Sequence, residues 1–272
     1  MDWALVMVPY PVTITALVTV GFGLLNGISP RHAPTTPVRA PARRINVLGA
    51  LLWAALCLLS VFLLAVRFRA MAGDLRGLLD SVQVRALLAE AALACVAAVT
   101  AKWSPRLALP SALVALVPGP LTGHTLTADS PLVAQAALVA HVVAASLWVG
   151  GLLALGWLAL RNRAAWAAVL PRYSTLALAC VVVLAVSGML AALQELHSFD
   201  QLLTNGYGAL VLLKSAGLAG LIALGALQRR RVVRPGVDAS GRDVLLLLGS
   251  EAILMMLVVA LATGLSQTPP PN

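Results

Sequence analysis

The sequence predicts an all-α protein, a polytopic transmembrane bundle of about eight helices, and three observations lead to that prediction. Hydrophobic residues make up 60% of the 272 residues and charged residues only 11%. The mean hydropathy is +0.93, so too little polar surface is present to cover a water-soluble globule. Clusters of Arg, Pro and Gly divide the chain into apolar runs of roughly 20 residues, which is the length that crosses a hydrocarbon core about 30 Å thick. The lipid bilayer is therefore the predicted environment.

The apolar runs are predicted to be helices, because an open strand in lipid would leave backbone N–H and C=O groups without partners. Together they make a single transmembrane domain over residues 1–272. The predicted spans are residues 4–25, 47–66, 84–101, 107–120, 132–160, 174–193, 206–227 and 244–265.

Charged residues set the limits of the first three spans. The first span contains none, the second lies between Arg44 and Arg67, and the third ends directly before Lys102. Since charged side chains are unfavourable in the hydrocarbon, the helices are predicted to cross the membrane between them.

The fourth span is the shortest of the eight and carries three prolines, Pro110, Pro118 and Pro120. Proline removes a helical hydrogen bond and clashes with the preceding turn. This span is therefore predicted to be kinked, or to cross only with the help of its neighbours. The four spans that follow are apolar runs of at least 20 residues.

Basic residues fix the predicted orientation, because short cytoplasmic loops carry an excess of Lys and Arg. The loops after spans 1, 3, 5 and 7 hold fourteen of the nineteen Lys and Arg residues. Segments 121–131, 194–205 and 266–272 hold none. Both termini are therefore predicted to be extracytoplasmic. The exception is the segment 67–85, which carries four arginines on the outer side and whose apolar spacing predicts an amphipathic helix at the interface.

Several function classes are excluded by composition and motifs. The net charge of +9 is spread between apolar runs, and no soluble segment is long enough to bind nucleic acid as a domain. No GxxxxGK[ST] motif occurs, and no pair of nucleophile and base is recognisable. We predict no nucleic-acid partner and no enzymatic activity.

The three cysteines, Cys57, Cys95 and Cys180, lie within apolar runs and lack the close spacing of metal ligands. We therefore predict that they are buried and pack as small hydrophobic side chains.

Four ionisable side chains lie within predicted spans, where each one is a functional hypothesis because it is costly in lipid. They are Glu90, His141, Lys214 and Glu251. Glu90 and Lys214 lie about 9 Å and about 12 Å below the outer surface at a rise of about 1.5 Å per residue. Two interpretations are open for them, a structural ion pair and a place on a transport path.

The histidines other than His32 lie in the outer half of the predicted bundle or at its midplane. His141 lies about 15 Å along the fifth span, while His124 and His197 lie at the outer ends of spans 4 and 6. Met189 lies one turn below that surface. Imidazole and thioether groups bind copper, so these four residues are candidate metal ligands along an inward route. The alternative for His141 is a hydrogen-bonded contact between helices.

Residues 141–151 form the pattern His-x6-Trp-x-Gly-Gly, which begins at His141 and includes Trp148. With Gly123-His124 before it and the Tyr-Gly to Lys segment at 207–214 after it, this pattern resembles the CopD family of copper-resistance membrane proteins. The resemblance covers mainly residues 120–270, and the family's eight spans agree with the predicted number.

The resemblance implies a multi-pass protein of the bacterial cytoplasmic (inner) membrane that takes up or transfers copper, with His124 and His141 as copper ligands. It also implies a periplasmic partner, a copper-binding protein of the CopC type. The residues predicted to line an intramembrane polar path are Glu90, Trp148, Lys214 and Glu251.

Two alternatives to the copper function remain open. One is a redox protein with a b-type haem between histidines, although His124 and His141 differ by about 15 Å in depth. The other is an assembly factor for a respiratory copper enzyme.

Overall fold

The computed structural model describes residues 9–29, 36–72, 77–122 and 130–195, with a few helical positions between 216 and 223. The described helices are α1 (Pro9–Ile28), α2 (Thr36–Ala72), α3 (Val82–Trp103), α4 (Pro105–Ala115), α5 (Pro131–Ala145), α6 (Gly151–Arg161) and α7 (Arg163–Glu195). A 3-10 turn, Gly119–Leu121, follows α4, and a π-helical segment, Ser146–Gly150, joins α5 to α6. The prediction of an all-α helical membrane bundle is confirmed.

The chain divides into two compact units, Met1–Ser187 and Gly188–Asn272. All the helices up to most of α7 belong to the first unit. In the second unit, the described residues are the last residues of α7 and the few positions between 216 and 223.

Five helical stretches are long and apolar enough to cross a bilayer by length and composition. They are Pro9–Ile28, Val38–Arg69, Val82–Trp103, Pro131–Arg161 and Arg163–Leu190. Each overlaps one predicted span, namely spans 1, 2, 3, 5 and 6. The predicted spans 206–227 and 244–265 lie almost wholly outside the described residues, so the total of eight and the placement of the termini stay predictions.

The fourth predicted span is irregular in the structure. Its helix, α4, has 11 residues, which at about 1.5 Å per residue reaches only about 16 Å. Pro105 occupies the first turn, where its missing N–H costs nothing, and Pro110 lies inside the helix. The chain then continues into the 3-10 turn Gly119–Leu121, so this segment is shorter than a regular span.

Two breaks between helices follow from local chemistry. Ser104 is extended, with φ −139° and ψ 93°, directly before Pro105, and a residue before proline is disfavoured in the helical region. Asn162 is extended between α6 and α7, and its side-chain oxygen accepts a hydrogen bond from the backbone N–H of Ala165 at 2.9 Å. This is the N-cap interaction that favours a new helix at that point.

Several helices are longer than hydropathy predicts. The helix α2 begins at Thr36 and α7 at Arg163, each eleven residues before the predicted span. Hydropathy marks only the part of a helix that suits the hydrocarbon, whereas the arginine-rich ends stay helical outside it. The predicted interfacial helix over 67–85 is wrong for the described residues, because α2 continues to Ala72 and residues 77–80 form a turn before α3.

The interior of the first four helices is built from small side chains. Alanines of α3 and α4 line it, all of them at most 4% exposed: Ala91, Ala94, Ala97, Ala98, Ala101, Ala108, Ala112 and Ala115. Large apolar side chains of α2, including Leu48, Leu52 and Phe62, are exposed instead. Such a distribution suits lipid, where close backbone packing rather than hydrophobic burial holds helices together.

The helix α1 lies at the centre of this packing. It contacts α2, α4, the π segment and α6. The amide of Asn46 donates to the carbonyl of Thr19 at 3.1 Å, and the guanidinium of Arg172 donates to the carbonyl of Ile28 at 2.9 Å. The end of α1, the first part of α2 and the first part of α7 therefore lie at one end of the bundle, where the predicted cytoplasmic loops begin.

Candidate metal site and intramembrane polar cluster

The Gly-Gly end of the motif at 141–151 lies where two backbones meet. The residues Ser146–Gly150 form a π-helical turn, a feature that is frequent at functional sites. A Cβ added to Gly150 would overlap the carbonyl oxygen of Leu17, and one added to Gly21 would overlap the carbonyl of Gly150. The two helices therefore approach so closely that only glycine fits at either position.

The neighbouring residues of the motif contact α7. The ring of Tyr173 packs against Gly151, where an added Cβ would overlap it. The Tyr173 hydroxyl donates a hydrogen bond of 2.6 Å to the carbonyl of Trp148, and the Trp148 side chain is buried. Trp148, Gly150 and Gly151 thus shape the surface on which α1 and α7 pack.

His141 lies on α5, five residues before the π turn begins. Its Nδ1 is 2.9 Å from the hydroxyl oxygen of Ser187 on α7. The imidazole is partly buried and Ser187 is 5% exposed. Because this hydrogen bond joins residues 46 positions apart in the sequence, it fixes the ring of His141 relative to α7.

Glu90 forms a second polar cluster, on α3. The indole N–H of Trp53 donates to Glu90 Oε1 at 2.7 Å, and the Cys57 thiol hydrogen bonds to the same carboxyl group. Trp53 and Cys57 are both 0% exposed and lie one turn apart on α2. A Cβ on Gly119 would stand 3.6 Å from Glu90 Oε2, so the carboxyl group also lies against the 3-10 turn.

Four of the predicted site residues, His124, His197, Lys214 and Glu251, lie outside the described residues. The proposed pairing of Glu90 with Lys214 stays a prediction, and the described partners of Glu90 are Trp53 and Cys57.

Met189 lies two residues beyond Ser187 on α7. At about 100° per residue, the two side chains leave the helix about 200° apart. Met189 is 66% exposed and belongs to the second unit. Among the described residues, no group of three or more His, Cys, Asp or Glu side chains is close enough to hold a metal ion. Among the predicted copper ligands, the structure describes a polar contact for His141, with Ser187. The complete set of copper ligands stays a prediction.

Sequence reasoning missed the partners of both polar groups. Ser187 and Tyr173 lie on a helix that is apolar nearly all round, so no periodicity marks the face that meets α5. Trp53 and Cys57 lie four residues apart and therefore on one face of α2. This spacing predicts a shared contact surface, but it does not identify Glu90 as the residue that they contact. The prediction of buried cysteines is confirmed for Cys57 and Cys180 and is wrong for Cys95, which is exposed.

Replacing Tyr173 by phenylalanine is expected to lower the free energy of unfolding by about 1 kcal/mol, the usual net value of a buried hydrogen bond. The variant keeps the ring against Gly151 and loses only the donor to the Trp148 carbonyl. Thermal unfolding in detergent, followed by circular dichroism, measures the change. Tyr10→Phe is the matched control, since Tyr10 is 38% exposed at the start of α1. Equal stability of the two variants would contradict the assigned hydrogen bond.

Comparison with known proteins adds an independent finding. Residues 167–265 match a family model described as Copper resistance protein D, CopD. The chain is also 29% identical over 159 residues to a copper transport protein, CutJ, of Bacillus subtilis (strain 168). That alignment covers 55% of this chain and 28% of CutJ, so the chain spans well under half the length of this relative. No solved structure matches significantly.

The matched segment and the motif occupy different parts of the chain. The match begins sixteen residues after Gly151, so His124 and the His141 motif precede it, while Met189, His197, Lys214 and Glu251 fall within it. The apolar helices and the alanine-lined interior agree with a multi-pass membrane protein. Together they describe a multi-pass membrane protein whose residues 167–265 are similar to the CopD copper-resistance family.

Proposed function

We propose that this protein takes up copper, or transfers it, across the bacterial inner membrane, with copper as its cargo and a histidine-based site that opens to the extracytoplasmic side. The observation that carries the copper assignment is the CopD match over residues 167–265. The name of the relative CutJ, a copper transport protein, agrees with it. Neither the family description nor that name denotes an enzyme, and we propose no catalytic reaction.

The proposed ligands are His124 and His141, with Met189 and His197 as additional ligands nearer the surface. Support for His141 comes from its geometry, because its Nδ1 is within hydrogen-bond distance of the Ser187 hydroxyl and metal-binding histidines usually have a hydrogen-bond partner that orients the ring. Imidazole suits copper in either common oxidation state, and a thioether favours Cu(I). A periplasmic protein of the CopC type is the proposed copper donor.

Metal analysis of the purified protein tests this proposal. We expect copper to copurify with the wild-type protein, and we expect His141→Ala and His124→Ala to weaken copper binding by more than roughly tenfold, the lower range for disruption around a metal site. Cells that express either variant should accumulate less copper than cells that express the wild type.

His32→Ala is the matched control, because this histidine lies in a loop predicted to be cytoplasmic, away from the proposed site. If both site variants keep the wild-type copper content and copper accumulation, the site assignment is wrong. An absorbance spectrum tests the haem alternative on the same sample, since a Soret band in stoichiometric amount would overturn the copper proposal.

A further inference from the structure

Basic side chains from three helices gather at one end of the first unit, around the last turn of α1. They are Arg43 and Arg44 of α2, Arg161 at the end of α6, and Arg163 and Arg172 of α7, and all five are exposed. We call these five residues the arginine end. Its position follows from the hydrogen bonds that Asn46 and Arg172 donate to backbone carbonyls of α1.

Two of these guanidinium groups are held in place beside α1. Arg172 Nη1 donates a hydrogen bond of 2.9 Å to the carbonyl of Ile28. The Cζ of Arg161 lies 5.9 Å from the centre of the Trp157 ring, within the range of a cation–π contact. That ring in turn meets the ring of Phe22 on α1 edge to face, with 5.3 Å between the centroids. Arg161 and Arg172 therefore both lie near the end of α1, and each has a contact that limits its movement.

No described carboxylate group lies near these positive charges. Among the residues whose side chains the structure describes, the acidic ones are Asp80 and Glu90. Glu90 contacts Trp53, which is nine residues beyond Arg44 and therefore about 14 Å further along α2. Asp80 lies still further away, in the turn before α3. Within the described part of the chain, the arginine end is thus a concentration of positive charge that attracts anions.

A phosphate group is the anion that suits these side chains. A guanidinium group presents its N–H donors in a planar fork that matches two phosphate oxygens, and it is more weakly hydrated than an ammonium group. Two buried donors at the same end have no hydrogen-bond partner in the part of the chain that the structure describes, Nδ2 of Asn26 in the last turn of α1 and Nε1 of Trp166 in the first turn of α7. Buried polar groups normally have partners, and both of these groups need an acceptor. The polar groups at this end therefore favour a ligand that is rich in acceptor oxygens.

Exposed apolar side chains next to the arginines favour a phospholipid over a free phosphate ion. Leu160, directly before Arg161, is 70% exposed, and Leu48, one turn beyond Arg44, is 65% exposed. Both leucines lie on the side of these arginines that faces the predicted hydrocarbon region. A phosphate group at the arginines would thus leave acyl chains against the leucines. Basic pockets at the cytoplasmic ends of transmembrane helices bind anionic headgroups in this way.

We propose that the arginine end binds an anionic phospholipid, whose phosphate group is held by Arg161 and Arg172 beside the end of α1. The other three arginines add attraction at longer range. Because Arg161 ends α6 and Arg172 lies on α7, a lipid that binds both side chains stabilises the folded arrangement of these helices. The proposal is independent of the copper function, since it uses none of the predicted copper ligands.

The first test compares two phospholipids on the purified full chain. Thermal unfolding is followed in detergent that contains an equal amount of either phosphatidylglycerol, which is anionic, or phosphatidylcholine, which is zwitterionic. We expect phosphatidylglycerol to raise the unfolding temperature more, because a ligand that binds only the folded state stabilises it. The difference between the lipids should shrink as the salt concentration rises. An equal rise with both lipids would contradict the proposal, and so would equal protection by inorganic phosphate, which would indicate a site for the free ion.

Substitution of the two arginines locates the site. Native mass spectrometry measures how much phosphatidylglycerol stays bound to each protein. We expect Arg161→Gln and Arg172→Gln each to weaken binding about fivefold, the usual effect of one basic residue near an anionic surface, and the double variant to bind about 25-fold more weakly. The matched control is Arg85→Gln, because Arg85 is also exposed and its guanidinium donates to a backbone carbonyl, that of Asp80, at 3.3 Å.

The outcomes decide between a local site and a general effect of charge. Wild-type affinity in the double variant, or an equal loss in Arg85→Gln, would overturn the assignment to Arg161 and Arg172. Native mass spectrometry of the wild type in an equal mixture of the two lipids gives an answer that needs no variant. We expect bound phosphatidylglycerol to exceed bound phosphatidylcholine, and equal occupancy by the two lipids would show that the arginine end does not select an anionic headgroup.

Discussion

Replacing Gly150 by alanine is expected to lower the free energy of unfolding by about 3 kcal/mol, at the upper end of the usual effect of overpacking. The added Cβ would overlap the carbonyl oxygen of Leu17, and the backbone nitrogen of Gly21 would lie 3.0 Å away. Both obstacles are backbone atoms of α1, which cannot rotate aside as a side chain does. The helix would have to move as a whole.

The size of the effect follows from the place of α1 in the bundle. Its residues Val20, Leu24 and Leu25 are at most 4% exposed, and α1 contacts α2, α4, the π segment and α6. A shift of α1 away from Gly150 would therefore loosen several interfaces at once. In a membrane, helix association depends on such close contacts because lipid offers no hydrophobic penalty for separation.

Denaturant unfolding of the purified protein in detergent measures this change. The matched control is Gly156→Ala, on α6, where an added Cβ meets nothing within 4 Å. Alanine favours a helix over glycine by about 1 kcal/mol, so the control is expected to be neutral or slightly stabilised. Gly21→Ala should be as harmful as Gly150→Ala because it meets the same contact from the other side. Equal stability of Gly150→Ala and Gly156→Ala would show that the two backbones do not touch.

The sequence predicts the helical membrane class and the approximate place of each described span, because hydropathy and the position of charges report directly on the hydrocarbon region. It does not predict the helix ends, since residues such as Arg43 and Arg163 are helical outside that region. Nor does it predict the π turn at Ser146–Gly150, which is associated with the close approach of α1 at Gly150. That approach depends on a residue at position 21, more than a hundred residues earlier.

At the site, too, the sequence predicts the ionisable residues but not their partners. His141 and Glu90 are recognisable from the sequence because an ionisable group in an apolar run is unusual. Their partners are not, because Ser187 and Trp53 belong to helices without a polar face, and small hydroxyl or indole groups are common in such helices. Which face of α7 meets α5 is decided by packing at several contacts, among them Tyr173 with Gly151, and no single segment encodes it.

Replacing Glu90 by alanine is expected to lower the free energy of unfolding by about 2 kcal/mol, because it leaves a buried donor without an acceptor. The indole N–H of Trp53 donates to this carboxyl group at 2.7 Å, and Trp53 is 0% exposed. Water therefore has no access to the side chain that loses its partner. Glu90→Gln keeps a side-chain oxygen that accepts from the indole, and we expect most of the stability to be retained.

A double-mutant cycle with Trp53→Phe isolates this hydrogen bond from the other consequences of each substitution. Phenylalanine fills much of the same space without a donor, so Glu90→Ala should be less harmful in the Trp53→Phe background than in the wild type. Thermal or denaturant unfolding of the four proteins gives the interaction energy. Strictly additive effects would contradict a direct bond between Trp53 and Glu90.

The stable Glu90→Gln variant then separates structure from transport. It keeps the contact with Trp53 but has no ionisable carboxyl group, so its fold and its charge can be judged independently. If Glu90 lies on the proposed path, cells that express this variant accumulate less copper although the protein unfolds at the wild-type temperature. Unchanged accumulation would leave Glu90 with the structural role alone, as the residue that joins α2 and α3 through Trp53 and Cys57.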